Sequence, residues 1–138
     1  MKDPNGRSAI EIYDSTLVSL ADNSGHVVIE LKPAYIHRST GTPGVDPGGG
    51  WAQDAILRVE NGTIDGSVPE MPGDLWEGSL QVGNQRIENI IPLPLDYQGA
   101  VTLVLVAQDE SRVVIRGSAI SAILVGEPKF IEEFPGVS

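Results

Sequence analysis

The segments Ala100–Ala107, AVTLVLVA, and Arg112–Arg116, RVVIR, decide the fold class of this chain. Apolar residues occupy both faces of the first segment, which predicts a central β-strand that is covered on both sides. The polar residues Asp109-Glu110-Ser111 stand between the two segments and are typical of a turn. The sequence therefore predicts a hairpin at this point, with its first strand in the interior of a sheet.

The β pattern continues upstream of this hairpin. Residues 26–31 alternate between apolar and polar side chains, and residues 51–60 do the same, with Gln53 on the apolar face. Pro33 follows the first of these segments and predicts either a bulged continuation or a separate edge strand, because proline lacks an N–H. Asn61-Gly62 follows the second segment and predicts a hairpin turn, since both residues accept positive φ.

Sixteen Gly and ten Pro punctuate the chain into short segments that are rich in Val and Ile. This pattern predicts an all-β fold: a single-domain antiparallel β-sandwich or barrel, jelly-roll-like, of nine to ten short strands with little or no helix. A short helix over 119–124 is the alternative in one place, but the Ile and Val content there favours a strand. We expect one unit over 1–138, with a flexible N-terminus at 1–8, a Gly/Pro-rich loop at 40–50, and a C-terminal tail at 127–138 that packs on the body.

The charge of the chain restricts its partners. There are 9 Lys and Arg against 19 Asp and Glu, which gives a formal net charge of −10, and there is no Cys. Clustered basic residues are needed to bind nucleic acid or an anionic membrane, so we expect neither partner. Between residues 39 and 83 the sequence has seven acidic residues and one basic residue, Arg58. A partner of this middle region should be cationic or uncharged. No secretory signal is evident at the N-terminus, so we expect a cytoplasmic protein.

The chemistry available to the chain is limited. Thiolate nucleophiles and thiolate metal sites are excluded by the absence of Cys. The two histidines, His26 and His37, are eleven positions apart and cannot form a His-x-His metal motif. We therefore expect no metal and no cofactor. We expect His37 to be a surface or interface residue that forms hydrogen bonds.

The loop at 40–50 is the first place to look for a site, because long loops in compact domains are often functional. The candidate binding residues lie beside it, and they are Tyr35, His37, Arg38, Trp51, Asp54 and Arg58. The main hypothesis is a non-catalytic binding module for a protein partner or a small ligand, with a homodimer also compatible. The alternative is a small hydrolase or isomerase in which His37 and Asp54 act as acid and base.

Carbohydrate binding through Trp51 or Trp76 is a second alternative, since exposed tryptophans stack on sugar rings. Core packing is the default expectation for both tryptophans, however, because aromatic residues make up only 5% of the chain and the core needs its largest side chains.

Overall fold

The computed structural model describes residues 7–39 and 48–134, which form ten β-strands and no helix. The strands are β1 (Arg7–Glu11), β2 (Thr16–Asn23), β3 (His26–Ser39), β4 (Gly48–Glu60), β5 (Thr63–Gly66), β6 (Gly73–Val82), β7 (Gln85–Glu88), β8 (Ile90–Leu93), β9 (Asp96–Ala107) and β10 (Arg112–Phe134). All pairings are antiparallel and belong to one sheet, so the predicted all-β class and strand number are confirmed. Over the described ranges there is no helix that could cross a membrane.

The sheet closes on itself. The strands pair in the order β2-β6-β9-β10-β4-β3, and β3 pairs in turn with β2, so six strands form a barrel-like ring. The junction between β2 and β6 is the shortest link, with the pairs Thr16–Asp74 and Leu17–Gly73. Strands β1 and β8 extend the sheet beyond β3, and β7 pairs with β6. The closure therefore has a seam between β2 and β6.

Three pairs of consecutive strands are each one segment of chain with an interruption. β1 and β2 both pair with β3 and are separated by residues 12–15. β4 and β5 both pair with β10 and are separated by Asn61-Gly62. β7 pairs with β6, β8 pairs with β1, and Asn89 alone separates them. The first two interruptions leave the chain on the same neighbouring strand, and the third moves it from β6 to β1.

The predicted hairpin at Asn61-Gly62 is wrong. Asn61 does adopt a positive φ of 51°, but β5 continues along β10 and does not fold back on β4. The Asn61 side-chain amide donates a hydrogen bond to Ser118 Oγ at 2.7 Å, on the same neighbouring strand. The residue types correctly predicted the local conformation of Asn61. They did not predict the pairing partner, because both β4 and β5 form backbone hydrogen bonds with β10.

The predicted hairpin between β9 and β10 is confirmed, with Arg112 opposite Val106. Strand β9 pairs with β10 on one side and β6 on the other, so it is central, as its apolar composition indicates. The turn is closed by the Ala107 N–H, which donates to the Ser111 carbonyl at 2.9 Å. Backbone and side-chain hydrogen bonds from Ser111 lower the pKa of Asp109 in the same turn.

The strands are longer than the sequence suggested. Their lengths reach 14 residues in β3 and 23 in β10, because predicted breaks are absorbed as bulges. Pro33 lies in such a bulge, between Leu31 and Ala34, so β3 is a bulged continuation. A second bulge follows Gly117, and residues 119–124 are strand.

The segments at the predicted loop and termini are partly in strands. Arg7 and Ser8 belong to β1, 48–50 to β4, and 127–134 to β10. Residues 1–6, 40–47 and 135–138 lie outside the described part of the chain, and with them most of the predicted loop.

The core lies inside the ring. Its fully buried side chains come from every long strand, and the largest are Ile10, Ile12, Leu17, Ile29, Leu31, Ile36, Leu57, Leu75, Leu80, Ile91, Leu103 and Leu105. Each such side chain contributes about 1.5–3 kcal/mol relative to an exposed one. The alternation predicted for residues 26–31 and 51–60 matches this burial, since Val27, Ile29, Ala55 and Val59 all face inward.

Candidate functional site

Two of the predicted site residues, Tyr35 and His37, lie together on the outer face of β3. His37 was predicted to be a surface or interface residue that forms hydrogen bonds, and the surface placement is wrong, because only 3% of it is exposed. His37 lies between β1 and β4, opposite Ala9 and Gly50, in the middle of a three-stranded stretch of sheet. Its Nδ1 is 3.0 Å from Glu11 Oε1. His37 therefore contacts a carboxylate of β1, which the sequence did not single out.

Tyr35 and His37 lie two residues apart on the same face of β3 and are both buried, and we call this pair the buried polar row. Burial raises the pKa of Tyr35 above the ordinary value, and nearby Glu132 and Glu11 raise it further, with a hydrogen bond between the Tyr35 hydroxyl and Glu132. The ring can lean toward Glu132 because Gly50 stands between them. A Cβ at Gly50 would collide with the Tyr35 hydroxyl. This glycine is therefore a packing requirement of the row.

Arg38 and Trp51 form a separate group at the same end of the sheet. The Arg38 guanidinium carbon lies 5.2 Å from the centre of the Trp51 ring, a cation–π arrangement. The Phe130 ring meets Trp51 edge to face at 5.5 Å. Trp51 also packs partly against the core. Its surfaces are thus largely occupied by residues of the chain itself.

Asp54 and Arg58 lie farther along β4. Asp54 is four residues from Gly50, the residue opposite His37, which corresponds to about 13 Å along a strand. Arg58 Nε donates to Glu60 Oε1 at 3.0 Å on the exposed surface. The six predicted residues therefore fall into three groups, and His37 is not adjacent to Asp54.

A different surface carries the exposed aromatic residues of the seam. Trp76 is 54% exposed and Tyr13 is 51% exposed. Their ring centres are 5.6 Å apart and the rings are nearly perpendicular, at 83°. The expectation of core packing is wrong for Trp76. The largest side chain of the seam stands in solvent beside a second aromatic ring.

A β-bulge explains the exposure of Trp76. The pairing of β6 with β9 shifts register between Leu75 and Glu77, so Trp76 is the extra residue. Leu75 is fully buried, whereas Trp76 and Glu77, which follow it, are both exposed. A bulge reverses the alternation of faces and can re-aim a side chain. Here it turns two consecutive side chains outward.

The turn that carries Tyr13 is held by Ser15, which is only 1% exposed. Ser15 Oγ donates to the Glu11 carbonyl at 2.8 Å and accepts from the Tyr35 N–H at 3.0 Å. The Ser15 carbonyl accepts from the Leu75 N–H at 3.0 Å. One buried residue therefore fixes the Tyr13 turn to β1, β3 and β6.

Asn89, at the interruption between β7 and β8, is also close to Trp76 and Tyr13, because it lines the same depression. Its φ of 64° is accessible to asparagine at low cost. The Asn89 N–H donates to the Gly78 carbonyl at 2.9 Å, and its side-chain oxygen accepts from the Gly78 N–H at 3.3 Å. The Asn89 carbonyl accepts from the Ile12 N–H at 3.0 Å. This residue therefore links β6 to the end of β1.

Three adjoining depressions surround the aromatic pair. The first, of about 540 Å³, is lined by Glu11, Tyr13, Trp76, Glu77, Asn89 and Ile90. The second, of about 530 Å³, is lined by Trp76, Glu77, Val106, Ala107, Gln108 and Glu110. The third, of about 220 Å³, is lined by Tyr13, Asp14, Ser15, Asp74 and Gln108. We call the surface formed by these residues the aromatic site.

The aromatic site is acidic. Five of its described residues are Asp or Glu, and none of those described is Lys, Arg or His. Partial burial raises the pKa of Asp14, and the negative charges of Glu11 and Glu132 raise it further. Within the described residues no group of three or more His, Cys, Asp and Glu is arranged to hold a metal ion.

Comparison with known proteins gives no match: no protein-family model fits the chain, and no curated protein and no solved structure is similar to it.

Proposed function

We propose that this protein is a non-catalytic binding module and that the aromatic site is its binding surface. The exposed Tyr13–Trp76 pair carries the proposal. Burying either ring would contribute to stability, yet the bulge at Trp76 and the Ser15-anchored turn at Tyr13 keep both rings at the surface. Exposed aromatic residues on rigid backbone are the usual anchors of binding surfaces, because few rotamers are lost on contact.

The experiment compares variants of this pair with a matched control. Wild type is screened against arrays of peptides and of neutral glycans, and each ligand found is titrated against Trp76→Ala and Tyr13→Ala. Phe130→Ala is the control, since Phe130 is an aromatic residue that is 58% exposed on another part of the chain. We expect the affinity to fall at least tenfold in Trp76→Ala, which is about 1.4 kcal/mol, and to be unchanged in Phe130→Ala.

The proposal would be refuted if the screens found no ligand, or if every ligand found bound Trp76→Ala as tightly as wild type. Far-UV circular dichroism of each variant checks the fold. Because both rings are exposed, truncation should leave the β-sheet spectrum unchanged.

Neutral carbohydrate is one candidate ligand class, favoured by the exposed Trp76. The apolar face of a pyranose ring stacks on indole. Hydrogen-bond partners for the sugar hydroxyls would then come from Glu77, which lines both larger depressions, from Asn89 in the first, and from Gln108 in the second. The glycan array tests this candidate directly.

A further inference from the structure

We propose that the aromatic site binds a short basic segment of a polypeptide partner through its Arg or Lys side chains. This inference rests on the proposed function and specifies the chemistry of the partner. Its starting point is the combination of two exposed aromatic rings with surrounding carboxylates and no cationic lining residue in the described part of the chain.

The aromatic pair provides the first part of the recognition. In an edge-to-face pair at least one ring leaves a face uncovered by its partner. Arg and Lys are attracted to such a face by the ring quadrupole, and Trp is the best partner for them. A guanidinium can also stack flat on indole, which adds apolar contact to the electrostatic attraction. At Trp51 this chain itself uses such a contact, with Arg38 over the ring.

The carboxylates provide the second part. Glu77 lines both of the larger depressions, as Trp76 does, so a cation on the ring would lie within reach of a carboxylate. Glu11 lines the first depression and is held from behind by buried His37. Asp74 accepts a hydrogen bond from Thr16 Oγ1 at 2.9 Å, which fixes its orientation in the third depression. Two of these acids are therefore positioned before any ligand arrives.

No Lys or Arg of the described residues forms an ion pair with an acid of the aromatic site. Glu11 contacts His37, and Glu77 also lines a separate depression together with Arg86 and Arg112. Partial burial raises the pKa of Asp14, and the nearby negative charges of Glu11 and Glu132 raise it further. A cation arriving in this field relieves the repulsion among the carboxylates. The formal charge of −10 adds a longer-range attraction for basic partners.

The shape of the surface favours a polypeptide over a small cation. The three depressions share residues: Trp76 and Glu77 join the first to the second, Tyr13 joins the first to the third, and Gln108 joins the second to the third. Acids are distributed over all three. One small cation would use a single depression, whereas a segment with several spaced basic residues can use them together.

The test uses labelled synthetic peptides and the full chain. The probe is a Gly/Ser-spaced peptide with three arginines, and its matched partner carries citrulline at the same positions, which keeps the shape and removes the charge. Fluorescence anisotropy measures both against wild type, Trp76→Ala, Glu77→Gln and Asp65→Asn. Asp65→Asn is the control, because it removes the same charge on β5, where Asp65 contacts Arg116.

We expect the arginine peptide to bind and the citrulline peptide to bind at least about tenfold more weakly. Glu77→Gln and Trp76→Ala should each raise Kd at least about fivefold, while Asp65→Asn changes it less than about twofold, as expected when exposed charges lie beyond a Debye length of about 8 Å. Raising NaCl from 50 to 300 mM should weaken binding of the arginine peptide to wild type.

Four outcomes would overturn the inference. Equal binding of the citrulline peptide would exclude charge recognition. Competition by tetramethylammonium at the concentration at which the peptide binds would show that the site takes a small cation. Binding of a neutral glycan that requires Trp76, without binding of the arginine peptide, would overturn the inference and leave the proposed function intact. Peptide binding that neither Trp76→Ala nor Glu77→Gln weakens would refute both.

Discussion

Replacing Ser15 by Ala should destabilise the whole domain although it removes one atom. Ser15 is buried, and its Oγ accepts from the Tyr35 N–H and donates to the Glu11 carbonyl. Without it, the Tyr35 N–H is left without an acceptor away from water, which costs about 1–3 kcal/mol. At about 2.1 cal/mol/K per residue, 138 residues have an unfolding entropy of about 0.29 kcal/mol/K. A loss of about 2 kcal/mol therefore lowers Tm by about 7 °C.

Ser118→Ala is the matched control for this measurement. Ser118 Oγ also accepts one hydrogen bond, from Asn61 at 2.7 Å, and donates one, to the Glu60 carbonyl at 3.4 Å. Ser118 is exposed, so water replaces the lost partner and the change should stay within about 0.5 kcal/mol. Thermal and urea unfolding of both variants measure the difference. Equal stability of Ser15→Ala and Ser118→Ala would show that Ser15 does not anchor the Tyr13 turn.

Three further perturbations test the buried polar row and its surroundings. The raised pKa of Tyr35 means that the native state holds this proton after the unfolded chain has lost it, so wild type should lose stability above about pH 10, and Tyr35→Phe should lose less in urea titrations over pH 8–11. The raised pKa of Asp14 means that ionisation destabilises the native state beside Glu11 and Glu132; Asp14→Asn should melt at a higher temperature than wild type at pH 7 and at the same temperature below about pH 3. Gly50→Ala places a methyl group against the Tyr35 hydroxyl and should cost about 1–3 kcal/mol in urea unfolding, whereas an unchanged midpoint would mean that the ring has room to move.

The sequence predicted the parts of the fold that depend on one strand at a time. The apolar run at 100–107 is central, and it forms the predicted hairpin with 112–116. The alternation at 26–31 places Val27 and Ile29 inside. These features follow from residue types and a period of two, because a strand in a closed sheet has one face on the core and one face outside. No knowledge of the strand order is needed to derive them.

Features that depend on a neighbouring strand could not be predicted in the same way. Asn61-Gly62 has the conformation of a hairpin turn, but β10 pairs with the chain on both sides of it. His37 is polar and was expected at the surface, but it lies between β1 and β4 and contacts Glu11, which is 26 residues away in sequence. In both cases the decisive partner is distant along the chain, and single-strand patterns carry no information about it.

Trp76 could have been found from one signal. In the segment GDLWEGSL, strict alternation back from Leu80 would place Trp76 inside and Leu75 outside. Leu75 and Leu80 are an odd number of residues apart, and two buried leucines at that spacing in one strand require a bulge between them. The structure has both residues buried and the register shift at Trp76. The spacing of the two leucines therefore predicts the bulge, although the size of Trp76 suggested a core position for that residue.

The location of the aromatic site follows from the way in which the ring closes. A closed sheet has no free edge, so its regular parts offer a ligand only side chains that already alternate in and out. Here the seam between β2 and β6 is short, and the Tyr13 turn, the Trp76 bulge and Asn89 all lie beside it. Each interruption breaks the regular alternation of faces and leaves a side chain exposed at the surface. Ser15 and Asn89 then hold the interrupted backbone by hydrogen bonds to adjacent strands. The irregular backbone of the seam is thus held by hydrogen bonds to its neighbours, and such preorganisation lowers the entropy cost of binding.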